Sequence, residues 1–255
     1  IALLVLAAQW LAFTPYVEVA LTFWWLGVAL HFIFSFAVLF FMFNGENVTV
    51  DHVTPANFIP AVGLVVMPLA GAPLLPLMPE AMREIALTIN AIGLGAGSMM
   101  YIGLLGMTLS RKYLHKPAQG ILTPTVWIHL APIGVIPVSL MNLLEQLPFP
   151  AAREAGTVLM LLVWGFGVWW LVMASLLTLA ARAAGQLPFA LSWWGFTFPI
   201  GAFVAESLRL SKLLGWSLPL AIGVAAWLLL WGFWLITLNK TLRGVISGAI
   251  FKPHP

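Results

Sequence analysis

Two histidines, His31 and His129, stand inside long apolar stretches. An ionisable ring at such a place is a functional candidate by default, because burying it is costly. It could move a proton, contribute to an anion site or, as one of a pair, serve as an axial haem ligand. Against these stands a structural alternative, a neutral ring hydrogen-bonded to a neighbouring helix, which the absence of any paired-histidine spacing favours. Glu18, shortly after Thr14-Pro15, suits the positive end of a helix dipole and needs no chemical role. Glu206 precedes Arg209 by three positions, the spacing of a local ion pair.

Gly93, Gly95 and Gly97 have the density of a nucleotide loop but lie within an apolar helical stretch that no strand precedes. Close helix packing through Gly93 and Gly97 is the better reading. The chain contains no H-E-x-x-H, P-loop lysine motif or paired-aspartate metal site. It has no cysteine, so disulfides, thiolate ligands and cysteine nucleophiles are excluded. No enzyme, no metal and no cofactor is expected.

The elements that position these residues follow from composition. The chain is 62% hydrophobic and 7% charged, with 13 Trp and 17 Phe, whereas a soluble domain carries roughly 25% charged residues. So few charges cannot cover a water-facing surface, and lipid is the solvent they imply. Seven spans are predicted, at about 15 to 43, 56 to 77, 85 to 110, 124 to 144, 156 to 182, 190 to 208 and 217 to 240. Residues 1 to 13 are read as the tail of a further helix whose beginning is missing. Thr14-Pro15 reads as an N-cap followed by proline at the first helical position.

The net charge of +3 is spread over short loops, which suits topology control and gives no nucleic-acid signal. Arg111, Lys112 and Lys116 share a side with Lys240, Arg243 and Lys252, and the positive-inside rule makes that side cytoplasmic. Glu46 and Asp51 on the same side, and Arg209 and Lys212 opposite, run against the rule.

Proline divides the spans into two alternating sets. Those beginning near 15, 85, 156 and 217 have no interior proline, whereas the intervening ones carry Pro60, Pro68 and Pro73, then Pro132 and Pro137, then Pro199. An interior proline frees the carbonyl four residues earlier, here those of Leu64, Ile128, Ile133 and Gly195. In hydrocarbon such carbonyls must face protein or a watery cavity. Kinked helices are therefore predicted to form an inner layer and straight helices an outer one. The kinked spans also look repeated: Thr54-Pro55 through Pro68 aligns with Thr123-Pro124 through Pro137 at an offset of 69 residues, the length of one helical hairpin.

Ser192-Trp193-Trp194-Gly195-Phe196-Thr197-Phe198-Pro199 closely resembles the W-W-[AG]-[FY]-[ST]-F-P motif of the tellurite-resistance/dicarboxylate transporter family, which includes bacterial TehA and the slow-type anion channels of plant guard cells. The segments from Thr54 to Gly63 and from Pro124 to Pro132 are similar to two further motifs, with Asn57-Phe58 where a Trp is common. The resemblance implies an all-α integral membrane protein of ten helices in five hairpins. These would stand in quasi-fivefold order around a central pore, one pore per subunit of a homotrimer, with the first hairpin missing from this chain. It implies that Phe198 occludes the pore as its gate. At about eight residues into its span, ~12 Å, that ring would lie near the middle of a ~30 Å hydrocarbon core. Gly195, Pro199, Pro68, Pro132 and Pro137 are the expected pore-lining or kink residues. His129 and His31 remain the possible anion or proton sites.

The expected partners are the lipid bilayer and small inorganic or dicarboxylate anions. No Lys or Arg falls in the middle of a kinked span, which points to weak selectivity. The expected location is the plasma membrane of a bacterium or archaeon, with the C-terminus cytoplasmic. A proton-coupled dicarboxylate or sulfite carrier is the rival within transport. A non-conducting, haem-bearing subunit of a larger complex is the rival outside it.

Overall fold

The computed structural model describes residues 1–46, 49, 52–114 and 120–251; Asp51, Lys116 and Lys252, which bear on orientation, lie outside the described residues. Helices α1 (Ala2–Phe13), α2 (Val17–Asn44), α3 (Ile59–Leu74) and α4 (Glu80–Leu114) are followed by α5 (Leu130–Leu144), α6 (Pro150–Ala183), α7 (Thr197–Leu214) and α8 (Ser217–Ile246). Tighter 3-10 stretches, Pro55–Phe58, Gly120–His129 and Leu191–Phe196, lead into α3, α5 and α7. No strand occurs among the described residues. Among the described residues six helical stretches are long and apolar enough to cross a membrane, and the protein is an all-α integral membrane protein. The stretch expected as a further span is α7 with its 3-10 lead-in, and it carries Glu206, Arg209 and Lys212.

Burial separates the first two proline-bearing spans from the proline-free ones. In the apolar windows of Pro55–Leu77 and Gly120–Leu144, 83% and 78% of residues are buried, against 28%, 33%, 28% and 17% for those of α2, α4, α6 and α8. The outer helices turn apolar side chains outward: Phe36, Phe40, Phe41 and Phe43 of α2 are all exposed. A surface of this kind is stable only against lipid.

Hydrogen bonds fix the direction of the inner helices. Ser139 Oγ of α5 donates to the Val65 carbonyl of α3 at 2.7 Å, and Asn142 Nδ2 donates to the Leu69 carbonyl at 3.0 Å. Both chains advance together, so α3 and α5 are parallel. Helix α4 returns antiparallel and very close to α3. A Cβ at Gly97 would lie 2.6 Å from the Ala61 carbonyl, and one at Gly93 2.8 Å from that of Leu64. Glycine is thus required at both positions, as expected for close packing.

Leu64 is the carbonyl that Pro68 frees, and it faces the bare backbone of Gly93. The Leu69 carbonyl, freed by Pro73, accepts the Asn142 bond. These freed acceptors are covered by protein, and the Asn142 bond contributes about 1 kcal/mol net.

Two local expectations are corrected. Thr14 is the C-cap of α1, its hydroxyl donating to the Trp10 carbonyl at 2.9 Å, and α2 begins at Val17 with Glu18 still in its first turn. Pro132 and Pro199 were expected as kinks within regular α-helix; each is instead the third residue past the point where a 3-10 stretch runs without a break into the α-helix, while Pro68, Pro73 and Pro137 lie inside their α-helices.

Candidate functional site

A cavity of about 370 Å³ lies among α1, α3, α5, α7 and α8. Val5 and Gln9 of α1 and Leu69 of α3 border it on one side, and Gly134, Val135 and Val138 of α5 on another. From α7 come Thr197, Phe198, Gly201, Ala202 and Ala205, and from α8 Leu230. The wall is apolar and mostly made of small side chains, which keeps room beside the Phe198 ring. Its polar side chains are Thr197 and Gln9. The Thr197 hydroxyl is turned back to the Trp194 carbonyl at 2.8 Å.

Phe198 stands at the first turn of α7, immediately after the 3-10 stretch Leu191–Phe196. It is therefore held just past a change of helix type, eight residues into the helical stretch that begins at Leu191. Gly195 faces Pro124 and Ile128 at ordinary contact distances, so nothing crowds a Cβ there. Pro68, Pro132, Pro137 and Pro199 are buried, and neither they nor Gly195 border the cavity. The α5 and α7 backbones approach closely at Gly134, where a Cβ would meet the Ala202 backbone. Small residues, more than prolines, set the width of the wall.

The two histidines differ. His31 Nε2 hydrogen-bonds the Pro60 carbonyl at 2.9 Å, the structural alternative foreseen for a mid-span histidine. The ring also borders a second cavity of about 290 Å³ with Ser35 and Val38. His129 is fully buried between aromatic rings, 4.6 Å from Phe58 and 4.0 Å from Trp170, centroid to centroid. Neither of its nitrogens has a hydrogen-bond partner. Lys112 lies within electrostatic reach of it.

Glu206 and Arg209 do not pair with each other. Arg209 reaches across to α5, bonding Asn142 Oδ1 and, at 2.5 Å, Glu145 Oε1. Glu206 is wholly buried with both carboxyl oxygens unpartnered, within electrostatic reach of Tyr101, whose hydroxyl is also unpartnered. A long guanidinium can choose between a neighbour on its own helix and a carboxylate on another. Spacing along one helix shows only the first option. The polar pair Ser139 and Asn142, three apart in an otherwise apolar helix, was the signal that α5 bonds across to other inner helices.

Buried proline-bearing spans packed among apolar helices that face outward, with an apolar cavity beside them, define a polytopic membrane protein. The family described as voltage-dependent anion channel (SLAC1) matches residues 1–242. The chain belongs to that family, which comprises anion channels and transporters. An uncharacterized transporter of Methanocaldococcus jannaschii is 42% identical over 232 residues, covering 91% of this chain and 67% of the relative. A second from the same archaeon is 38% identical over 252 residues, covering 99% of this chain and 74% of the relative. A sulfite efflux pump of Arthroderma otae is 24% identical over 207 residues, covering 74% of this chain and 53% of the pump. No solved structure matches the chain with significance.

Proposed function

We propose that this protein is a passive pathway for small anions across a plasma membrane, closed at rest by the Phe198 ring. The observation that carries the reading is the place of that ring, on the wall of the cavity that α1, α3, α5, α7 and α8 border. An aromatic face in a narrow apolar passage excludes water, and an anion that loses hydration without replacement contacts does not pass. Removing the ring widens and wets the passage. Pairs of inner and outer helices built on a repeated hairpin support a central pathway in each subunit of a homotrimer. Inorganic anions and small dicarboxylates are the substrate class, and sulfite joins them through the pump relatives.

The test is anion efflux from liposomes holding the purified protein. Phe198→Ala is expected to raise chloride and nitrate flux at least tenfold over wild type, about 1.4 kcal/mol of barrier. Flux no higher than wild type removes the gate.

A second reading, a proton-coupled carrier, draws on one observation: His129 and Glu206 are buried groups without partners in the helix wall. It requires flux that follows an imposed pH gradient and is lost in Glu206→Gln. Electrogenic flux indifferent to that gradient favours the passive pathway.

A further inference from the structure

Arg209 lies one helical turn beyond Ala205, and Asn142 one turn beyond Val138; both Ala205 and Val138 border the cavity. Leu69, which also borders it, offers its carbonyl to Asn142 Nδ2 at 3.0 Å. The Arg209 guanidinium donates to Asn142 Oδ1 through one terminal nitrogen and to Glu145 Oε1 through the other, the latter at 2.5 Å. One cation thereby laces α3, α5 and α7 together one helical turn beyond residues that border the cavity, ~16 Å from Phe198 along α7.

The two ligands of this guanidinium are not equivalent. Asn142 is buried and fixed from its other side by the Leu69 carbonyl. The Glu145 side chain is 47% exposed, against 24% for Arg209. Arg153 holds the C-terminal turn of α5, donating to the carbonyls of Leu144, Glu145 and Leu147. The backbone at Glu145 is therefore anchored while its carboxylate can swing into water. A guanidinium presents five N–H donors in a planar fork suited to two oxygens of one anion. Glu145 engages it through a single oxygen.

We propose that Arg209, oriented by Asn142, is a recognition site for small oxyanions one helical turn beyond the cavity wall, and that the Glu145 carboxylate is a tethered competitor that such an anion displaces. The site rests on reading the cavity as an anion pathway. It adds a choice within that pathway: trigonal or planar oxyanions, which match the fork, are preferred to chloride, which does not.

The experiment uses nitrate and chloride as probes, with the whole chain in liposomes, in wild-type and Phe198→Ala backgrounds. Glu145→Gln removes the competitor's charge and is expected to lower the half-saturating nitrate concentration about tenfold, while Arg209→Gln raises it by about the same factor. Arg209→Lys keeps the charge and loses the preference for nitrate over chloride. In detergent, nitrate raises the melting temperature of Glu145→Gln more than that of wild type and does not move Arg209→Gln. If Glu145→Gln and Arg209→Gln shift nitrate dependence in the same direction, the contact is only a structural tie and the site is overturned. If Phe198→Ala passes no more nitrate than protein-free liposomes, the pathway reading itself falls and takes the site with it.

Discussion

Where the chain leads into α3, the His31 ring from α2 lies against Gly63 and bonds the Pro60 carbonyl; where it leads into α5, the residue 69 positions after Pro60 is itself a histidine, with no bond at all. The two lead-ins share a 3-10 stretch, a Thr-Pro pair and an aromatic at matched positions, Phe58 and Trp127. They differ in how polar groups are covered. In the first, an outer helix sends a polar ring inward to an inner-helix carbonyl. In the second, Trp170 of α6 does this for the Val126 carbonyl at 3.0 Å, and His129 is left enclosed by aromatic faces. A buried polar group without a partner costs about 1 to 3 kcal/mol. Stability is thus given up at His129 and not at His31, and positions of that kind are where function is sought.

The largest expected effect breaks the α3 lead-in. A Cβ at Gly63 would fall inside the His31 ring, so Gly63→Leu is expected to cost ~3 kcal/mol or more through overpacking. The protein should lose its monodisperse peak in detergent. Gly95→Leu, with nothing within 4 Å of its Cβ, should keep it. Gly63→Ala combined with His31→Ala should recover much of what Gly63→Ala alone loses. No recovery would mean that the histidine ring is not what demands glycine.

The inner and outer layers were partly legible in the sequence because proline spacing and apolar length act locally, and the structure buries the first two proline-bearing spans as that spacing predicts, whereas the third, around α7, is buried only in part. The roles of Pro132 and Pro199 were not legible. A proline in a first turn and one in a helix interior look alike until the preceding residues are known to be 3-10 in form. The motif around Trp193 pointed to Phe198, and that ring does border the cavity, yet the small wall residues Gly134, Gly201 and Ala205 carry no signal apart from their packing. Gln9 was hidden because α1 is short enough to read as a remnant of a span. The partner of Arg209 was missed because sequence spacing pairs residues on one helix, whereas the guanidinium crosses to another.

A smaller effect sharpens the contrast between the histidines. His31→Phe loses the bond to the Pro60 carbonyl and should destabilise by about 1 kcal/mol. His129→Phe replaces a ring whose two nitrogens are unpartnered with an apolar ring of similar shape, in a box already formed by Phe58 and Trp170. It should be neutral or stabilising by about 1 kcal/mol. Thermal unfolding in detergent should therefore move in opposite directions. Two equal losses would mean that His129 has a partner in the folded protein and that the two lead-ins are alike after all.

The smallest effect concerns the caps. Ahead of α3 the Thr54 N–H donates to Asn57 Oδ1 at 2.6 Å, and the Thr54 hydroxyl meets the same oxygen, closing a local box. Ahead of α5 the equivalent threonine, Thr123, reaches instead to the Gln186 carbonyl, at 3.4 Å. A local cap fixes two backbone ends with little added entropy, whereas a long contact to a distant loop gains less than it restrains. Asn57→Ala is therefore expected to cost about 1 kcal/mol, and Thr123→Val only a few tenths. The reverse order would show that the α5 lead-in is held from outside, by the loop before α7, and that this loop, directly upstream of Phe198, is mechanically coupled to the start of α5.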